Sequence, residues 1–500
     1  MSTTRNQPLS TQPDGAPQTF DRSMGLVATF SLGFTYLSPL AGVLSLLVFA
    51  LITAGPPAIW WLAIVAGGQF LVALVFGEVV SQYPITGGLY PWARRLWGRK
   101  YAWLVAWIYL CALIVTITSI AEFAVPYVGS LFGFTPATGS TLLIAVLLLG
   151  VTFVLNLAGT KVLSVAARVG FFAEIIGVIA VGLFLLIFQR KNDFGVVFDA
   201  MGTAQGGNYF PAFVGAALVG LFLFYGFEAC GDVAEEVANP GRQIPRAMYL
   251  TIVIGFVSAF IAFLGYILAA PNLSAIVAGK VADPISSILT GSLGPVGVKV
   301  FLVIALTAFL SCMLSLQAAL SRLLFSFARD EMLPGHRWLA RLRTEVGGTG
   351  GAPRNAAVVA AVAPAIICLL VFLSPDSLTR VTAFAVMGIY VCFQMVVFAS
   401  LVQRIRGWKP AGIWSLGRAG IVINVLALVY GIAAMVILAQ PGAPDVDFVD
   451  RWIVLIGLGI VVLIGVLYMV IARPFGRSNA PENDAIAEAA RIRAARSVNS

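Results

Sequence analysis

Two long apolar segments of this chain are interrupted by residues that could bind a solute. Residues 24–50 are interrupted at 38–42, and residues 212–236 are interrupted at 225–228. Proline and glycine weaken helices there, and an interrupted membrane helix leaves backbone N–H and C=O groups without partners. Such groups persist where they line a cavity or bind a solute. A matching pair of interruptions is therefore typical of a transporter's binding site.

The first interruption predicts a site for an anionic group. Pro39 removes one backbone donor, so a second half-helix starts near Leu40 and its first N–H groups have no helical partner. That end of a helix carries partial positive charge and suits an anion. A simple proline kink, which membrane helices tolerate, is the alternative. The residues predicted to contact the solute here are Ser38, Pro39, Ala41, Gly42 and Val43.

The second interruption predicts a site for a cation or an amine. Unwinding at Gly226 ends the first half-helix in unpaired carbonyl groups, and nearby aromatic rings can stack on an ammonium group. Plain packing is the alternative role for each ring. Glu228 lies beside the interruption, where an acid is costly and therefore a functional candidate. The predicted contacts are Phe222, Tyr225, Gly226, Phe227 and Glu228.

Three further acids lie within apolar segments. Glu78 and Glu122 fall near segment ends, where contact with interfacial water explains them. Glu174 falls about 16 Å into its segment at about 1.5 Å per residue, near the middle of a membrane. It is a candidate proton carrier, and a hydrogen bond to a neighbouring hydroxyl is the alternative.

Composition indicates an integral membrane protein. The 500 residues are 60% hydrophobic and 11% charged, whereas a soluble domain carries about 25% charged residues. The net charge of +9 resides in loops, which argues against nucleic-acid binding. The five cysteines form no CxxC pair, and no phosphate-binding GxxxxGK[ST] loop is present. We therefore expect no metal, no other cofactor, no ATP-driven pumping and no enzymatic activity.

Hydropathy predicts twelve transmembrane spans, of about 20 residues or more each. Most of the 31 Lys and Arg residues fall on one side if the N-terminus is inside, so both termini are predicted to be cytoplasmic. Residues 1–23 and 474–500 are predicted tails, the second with a short Ala-rich helix. The predicted spans are 24–50, 58–81, 101–127, 141–159, 163–188, 212–236, 247–270, 296–325, 356–374, 378–402, 416–438 and 451–472.

The span count relates the two interruptions. They lie in spans 1 and 6 and are thus five spans apart, so equivalent spans run in opposite directions. This predicts two inverted repeats, at about 24–188 and 212–402, within a transporter domain of residues 24–473. The helices at 416–472 are additions to the repeats.

Three sequence runs resemble those of known permeases. They are YPITGGLYPWA at 83–93, YGFEA at 225–229 with EEVANPGRQIPRA at 235–247, and SRLLFSFARD at 321–330. They resemble the loop after span 2, span 6 with its following loop, and the segment after span 8 of amino acid permeases. The chain resembles the amino acid–polyamine–organocation superfamily, and within it the amino acid, choline and γ-aminobutyrate permeases.

The resemblance implies an all-α fold of the LeuT type, with a 5+5 inverted repeat and broken helices 1 and 6. It implies that Ala41, Gly42 and Val43 bind a substrate carboxylate. It also implies that the carbonyl groups of Phe222 and Tyr225 bind the amine, and that the Phe222 ring occludes it.

The chain departs from the resemblance in two places. The Gly-small-Gly signature of span 1 is replaced at 38–42, which removes one donor from the carboxylate site. Glu174 takes the position of a lysine that replaces a sodium ion in some relatives. A carboxylate there can bind a proton or the substrate's ammonium group, or complete a cation site with Ser311 and Ser315.

These observations predict a secondary active transporter for amino acids or small amines in the plasma membrane. Import by alternating access, coupled to protons carried by Glu174 or Glu228, is the main hypothesis, and sodium is the alternative coupling ion. Substrate exchange and a non-transporting nutrient sensor are the alternative functions. The longest predicted inner loop follows span 8 rather than span 6, which argues against a major facilitator.

Overall fold

The computed structural model describes residues 20, 22–204, 207–281, 283–344, 351–372, 378–440 and 447–498. This part of the chain is helical except for loops and a pair of two-residue strands, Arg343–Thr344 and Gly351–Ala352. Nearly all of the predicted N-terminal tail lies outside the described residues.

Among the described residues, nine helices have 18 or more residues, and the shorter ones form two-part spans, the interruptions, the loops and the tail. The helices are α1 (Leu26–Leu37), α2 (Pro39–Ala54), α3 (Trp60–Gln82), α4 (Leu89–Leu96), α5 (Arg99–Phe132), α6 (Thr138–Leu157), α7 (Thr160–Ile175), α8 (Val181–Phe188), α9 (Phe210–Gly215), α10 (Leu218–Leu223), α11 (Ala229–Asp232), α12 (Pro240–Ala269), α13 (Leu273–Val277), α14 (Pro284–Arg329), α15 (His336–Leu339), α16 (Arg354–Phe372), α17 (Leu378–Ile405), α18 (Gly420–Leu438), α19 (Phe448–Arg451), α20 (Ile453–Ala472) and α21 (Ala485–Val498).

Within the described residues, 11 helical segments are long and apolar enough to cross a membrane, counting α1 with α2 and α7 with α8 as one segment each. The predicted sixth span is the exception, because it is divided among α9, α10 and α11. Its continuous apolar part, Phe210–Leu223, is shorter than a bilayer requires. The protein is therefore an all-helical, multi-span membrane protein, and the count of twelve stays a prediction.

The packing of the helices follows the predicted repeat. Helix α3 packs against its counterpart α12, α5 against α14, and α6 against α16. The contact of α5 with α17 has its equivalent in the contact of α14 with α7. Two repeats related by a pseudo-two-fold axis produce this pattern of neighbours. Helices α18 and α20 lie outside it, against α17.

The end of the bundle where Met24 and α21 lie is closed by ion pairs. Arg322 pairs with Glu236, with 2.9 Å between Nε and Oε1, and both side chains are buried. Arg94 of α4 pairs with Asp330, which also accepts a hydrogen bond from the Tyr90 hydroxyl. Burial lowers the pKa of Arg94 to about 10, so its charge persists at neutral pH.

The C-terminal segment docks on the same end. The predicted Ala-rich helix is present as α21, and its residues Ala485 and Ala489 are buried. Arg95 of α4 pairs with Asp484 at 2.9 Å, and the Asp484 N–H donates to the Arg95 carbonyl. The described part of this tail is therefore packed against α4 rather than extended into solvent.

Candidate substrate site

The interruption of the first span is one residue long. Helix α1 ends at Leu37 and α2 begins at Pro39, with Ser38 between them at φ 46°. The Ser38 N–H donates to the Phe34 carbonyl at 2.7 Å, and the Gly42 N–H donates to the Ser38 carbonyl at 2.9 Å. The predicted donor Gly42 is thus engaged in its own helix. Its Cα packs on Leu223, because an added Cβ would lie 2.9 Å from that side chain.

The interruption of the sixth span is longer and meets the first. The chain is irregular from the end of α10 at Leu223 to the start of α11 at Ala229. Gly226 lies at its centre with φ 114°, and an added Cβ would come within 2.7 Å of the Leu37 backbone nitrogen. Glycine is required here both for the backbone conformation and for the close approach. The two broken segments therefore touch inside the bundle.

Glu228 stabilises this irregular backbone. Its Oε2 accepts a hydrogen bond from the Gly226 N–H at 2.7 Å, and its Oε1 accepts one from the Tyr109 hydroxyl at 3.0 Å. The residue is fully buried. The Gly226 N–H has no helical partner and donates to a carboxylate instead. A hydrogen bond to a charged acceptor is stronger than one to a neutral carbonyl group.

Aromatic rings surround the meeting point. The rings of Phe222 and Tyr225 lie 5.8 Å apart, edge to face, and Tyr36 lies 6.4 Å from Tyr225. All three are at most 5% exposed. Phe227, which sequence reasoning placed among the contacts, packs instead between Phe76 and Phe393 of α3 and α17.

The predicted amine ligands have free backbone carbonyl groups. Among the described residues, no hydrogen bond in the loops and turns reaches the carbonyl oxygen of Phe222 or Tyr225. They lie where α10 ends and can accept hydrogen bonds from an ammonium group. The Tyr225 hydroxyl is likewise buried and without a hydrogen bond to any described residue.

Glu174 faces the first interruption from α7. The groups opposite its carboxyl are the Ser38 hydroxyl and the Leu40 backbone, at the start of α2. The residue is fully buried. Within the described part of the chain, neither carboxyl oxygen of Glu174 nor the Ser38 hydroxyl has a hydrogen-bond partner. The positive end of α2 therefore faces a side chain of the protein itself.

Ser311 and Ser315 of α14 lie close to the same region. The Ser315 and Thr35 hydroxyl groups are 2.8 Å apart and join α14 to α1. Ser311 contacts α7, because an added Cβ at Gly170 would lie 2.3 Å from its side chain. The Cys312 thiol between them donates to the Tyr36 carbonyl at 3.3 Å. The predicted ion-coupling residues of α7 and α14 are therefore neighbours of the first interruption.

Sequence reasoning missed three side chains of this region. Tyr36 and Tyr109 both lie beside Glu228. Asp232, one helical turn beyond Glu228, is fully buried, and its carboxyl oxygens have no hydrogen-bond partner among the described residues. The i, i+4 spacing of the two acids could have identified Asp232, whereas Tyr109 comes from a distant helix.

Comparison with known proteins agrees with this architecture. A family model described as amino acid permease matches residues 24–467. A putative amino acid/polyamine transporter of Macrophomina phaseolina is 25% identical over 82% of this chain and 92% of its own length. A choline transporter of Saccharomyces cerevisiae is 25% identical over 84% of this chain and 76% of its own. A thiamine transporter of Schizosaccharomyces pombe is 24% identical, over 84% and 78%. The chain belongs to the amino acid permease family and is a membrane transporter.

Proposed function

We propose that this transporter imports amino acids or related small amines across the plasma membrane by alternating access, driven by protons. The observation that carries the proposal is the contact between the two broken segments at Gly226 and Leu37. It brings the start of α2, the end of α10 and a cluster of aromatic rings to one place. Irregular backbone inside a membrane bundle marks a solute site.

The amine end of the substrate binds at the second interruption. The carbonyl groups of Phe222 and Tyr225 accept its hydrogen bonds, and the neighbouring rings shield it from water. Tyr36 contributes a third ring. A substrate carboxylate, where there is one, binds at the start of α2, with Ser38, Pro39, Ala41 and Val43 around it.

Glu174 carries the coupling proton. A charged carboxylate without hydrogen bonds is costly inside a membrane protein. Glu174 has no hydrogen bond to a described residue, which favours the protonated carboxyl in this conformation. Glu228 is another acid of the site, but its two hydrogen-bond donors satisfy a carboxylate without a proton. Loss of the proton from Glu174 places a negative charge opposite the start of α2, where it competes with a substrate carboxylate for the same helix end.

Alternating access requires one end of the bundle to open while the other closes. With both termini in the cytoplasm, the Arg322–Glu236 and Arg94–Asp330 pairs close the inner end in this conformation. Opening toward the cytoplasm separates these pairs, and the substrate and proton then leave together.

Uptake by the purified protein in proteoliposomes tests this function. The panel contains amino acids, the amines that share their side chains without the carboxylate, and choline, each with and without an inward proton gradient. We expect saturable uptake of at least one class that rises with the gradient. Uptake that is independent of the gradient and requires internal substrate would indicate exchange rather than import. Ligand binding by thermal shift without any flux would replace transport by sensing.

A further inference from the structure

A cavity lies at the end of the bundle opposite Met24 and α21. Its volume is about 450 Å³, and it lies where α5 ends, α6 begins, α16 ends and α17 begins. Ligand cavities in proteins span about 300–1,000 Å³, mostly apolar with a few well-placed polar groups. The residues that matter for its chemistry are Glu122, Thr135, Thr138, Thr141, Leu142 and Phe372.

The carboxyl group of Glu122 is the charged group of this cavity. The residue is 8% exposed, although the sequence indicated access to interfacial water. Among the described residues, the Cys368 thiol lies beside its carboxyl group, and no Lys or Arg lines the cavity. An acid held in apolar surroundings without a counter-charge is costly and is a functional candidate.

The other walls suit an organic cation. Leu142 and Phe372 provide apolar surface, and the Phe372 ring can stack on a cation. The three threonine hydroxyls can accept hydrogen bonds from an ammonium group. A hard metal cation such as Ca²⁺ or Mg²⁺ would need several oxygen ligands at short range. Among the described residues, no cluster of three acidic, His or Cys side chains could hold one.

We propose that this cavity binds the ammonium group of an apolar amine, held by Glu122. The site is separate from the meeting point of the broken helices and does not depend on the transport function proposed above. It is connected to that region, however, because the next residue, Phe123, packs edge to face against Phe222 at 6.1 Å. The ammonium group can come from a free amine or from a lipid headgroup.

Carboxyl labelling of the full-length protein in nanodiscs tests the proposal. Dicyclohexylcarbodiimide enters apolar regions and labels buried acids, and peptide mass spectrometry resolves Glu122 from the other acids. The probe ligand is 2-phenylethylamine, and the neutral 2-phenylethanol is the matched control. We expect concentration-dependent protection of Glu122 by the amine, little protection by the alcohol, and no label on that peptide in Glu122→Gln.

Two lipid compositions separate the sources of the ammonium group. In phosphatidylglycerol nanodiscs, protection should require added amine. Protection without amine in phosphatidylethanolamine nanodiscs would identify the lipid headgroup as the occupant and would support the same chemistry. Equal protection by the amine and the alcohol, or no protection by either in both lipids, would overturn the proposal.

Discussion

Two buried acids beside the broken helices, Glu228 and Glu174, differ in their surroundings. Both are fully buried. Glu228 accepts hydrogen bonds from the Gly226 N–H and the Tyr109 hydroxyl, whereas Glu174 has no hydrogen bond to any described residue. Donors stabilise a carboxylate, and their absence favours a neutral acid or a bound cation. Burial alone therefore does not identify the acid that exchanges a proton.

Replacing Glu228 by leucine should give the largest loss of stability. The change leaves the Gly226 N–H and the Tyr109 hydroxyl buried without partners, and each unpaired group costs about 1–3 kcal/mol. We expect the free energy of unfolding to fall by roughly 2–6 kcal/mol, the sum of those two costs. Thermal unfolding of the purified variant measures it. A loss smaller than that caused by Tyr109→Phe or Tyr127→Phe, both described in a later paragraph, would show that Glu228 does not stabilise the irregular backbone.

Replacing Glu174 by leucine should cost much less, because it breaks no hydrogen bond to a described residue. Replacing a buried polar group by an apolar one of similar shape can be nearly neutral. The same unfolding assay compares it with Glu228→Leu. A loss equal to that of Glu228→Leu would contradict the difference between the two acids.

Replacing Tyr109 by phenylalanine measures the charge on Glu228. A hydrogen bond to a charged group contributes about 1.5–3 kcal/mol, and one between neutral groups about 1 kcal/mol. Tyr127→Phe on the same helix is the matched control, because that hydroxyl donates to the neutral Leu44 carbonyl at 2.9 Å. We expect Tyr109→Phe to lower the unfolding temperature more than Tyr127→Phe. Equal losses would indicate that Glu228 is neutral.

Replacing Ser38 by alanine should have the smallest effect on stability. Its hydroxyl is buried and has no hydrogen bond to the described residues, so its removal breaks no contact. We expect a smaller loss than for Tyr127→Phe in the same assay. A larger loss would reveal a hydrogen bond from Ser38 to Glu174, and the two acids would then be alike.

The sequence predicts the breaks well and their surroundings poorly. Proline and glycine locate the interruptions because they act through their own backbone, and Ser38 and Gly226 lie where the breaks were predicted. The orientation of a ring on irregular backbone follows no helical period, so the packing of Phe227 against Phe76 and Phe393 could not be predicted.

Partners that come from distant helices are equally hidden in the sequence. Tyr109 is more than a hundred residues from Glu228 along the chain, and nothing local connects them. Glu78 was predicted to reach interfacial water, yet it is buried and pairs with Arg404 of α17. An acid near the end of an apolar segment is therefore not always exposed to water, because loops and neighbouring helices can cover its side chain.

Proton movement during uptake tests the central claim about Glu174 most directly. Proteoliposomes that enclose a pH-sensitive dye are given external substrate without an imposed gradient, and dye signal and substrate uptake are followed together. Wild-type protein should acidify the interior as substrate enters. Glu174→Gln should still bind and exchange substrate, but without acidification. Acidification by Glu174→Gln equal to that of the wild type would contradict the assignment of the proton to Glu174.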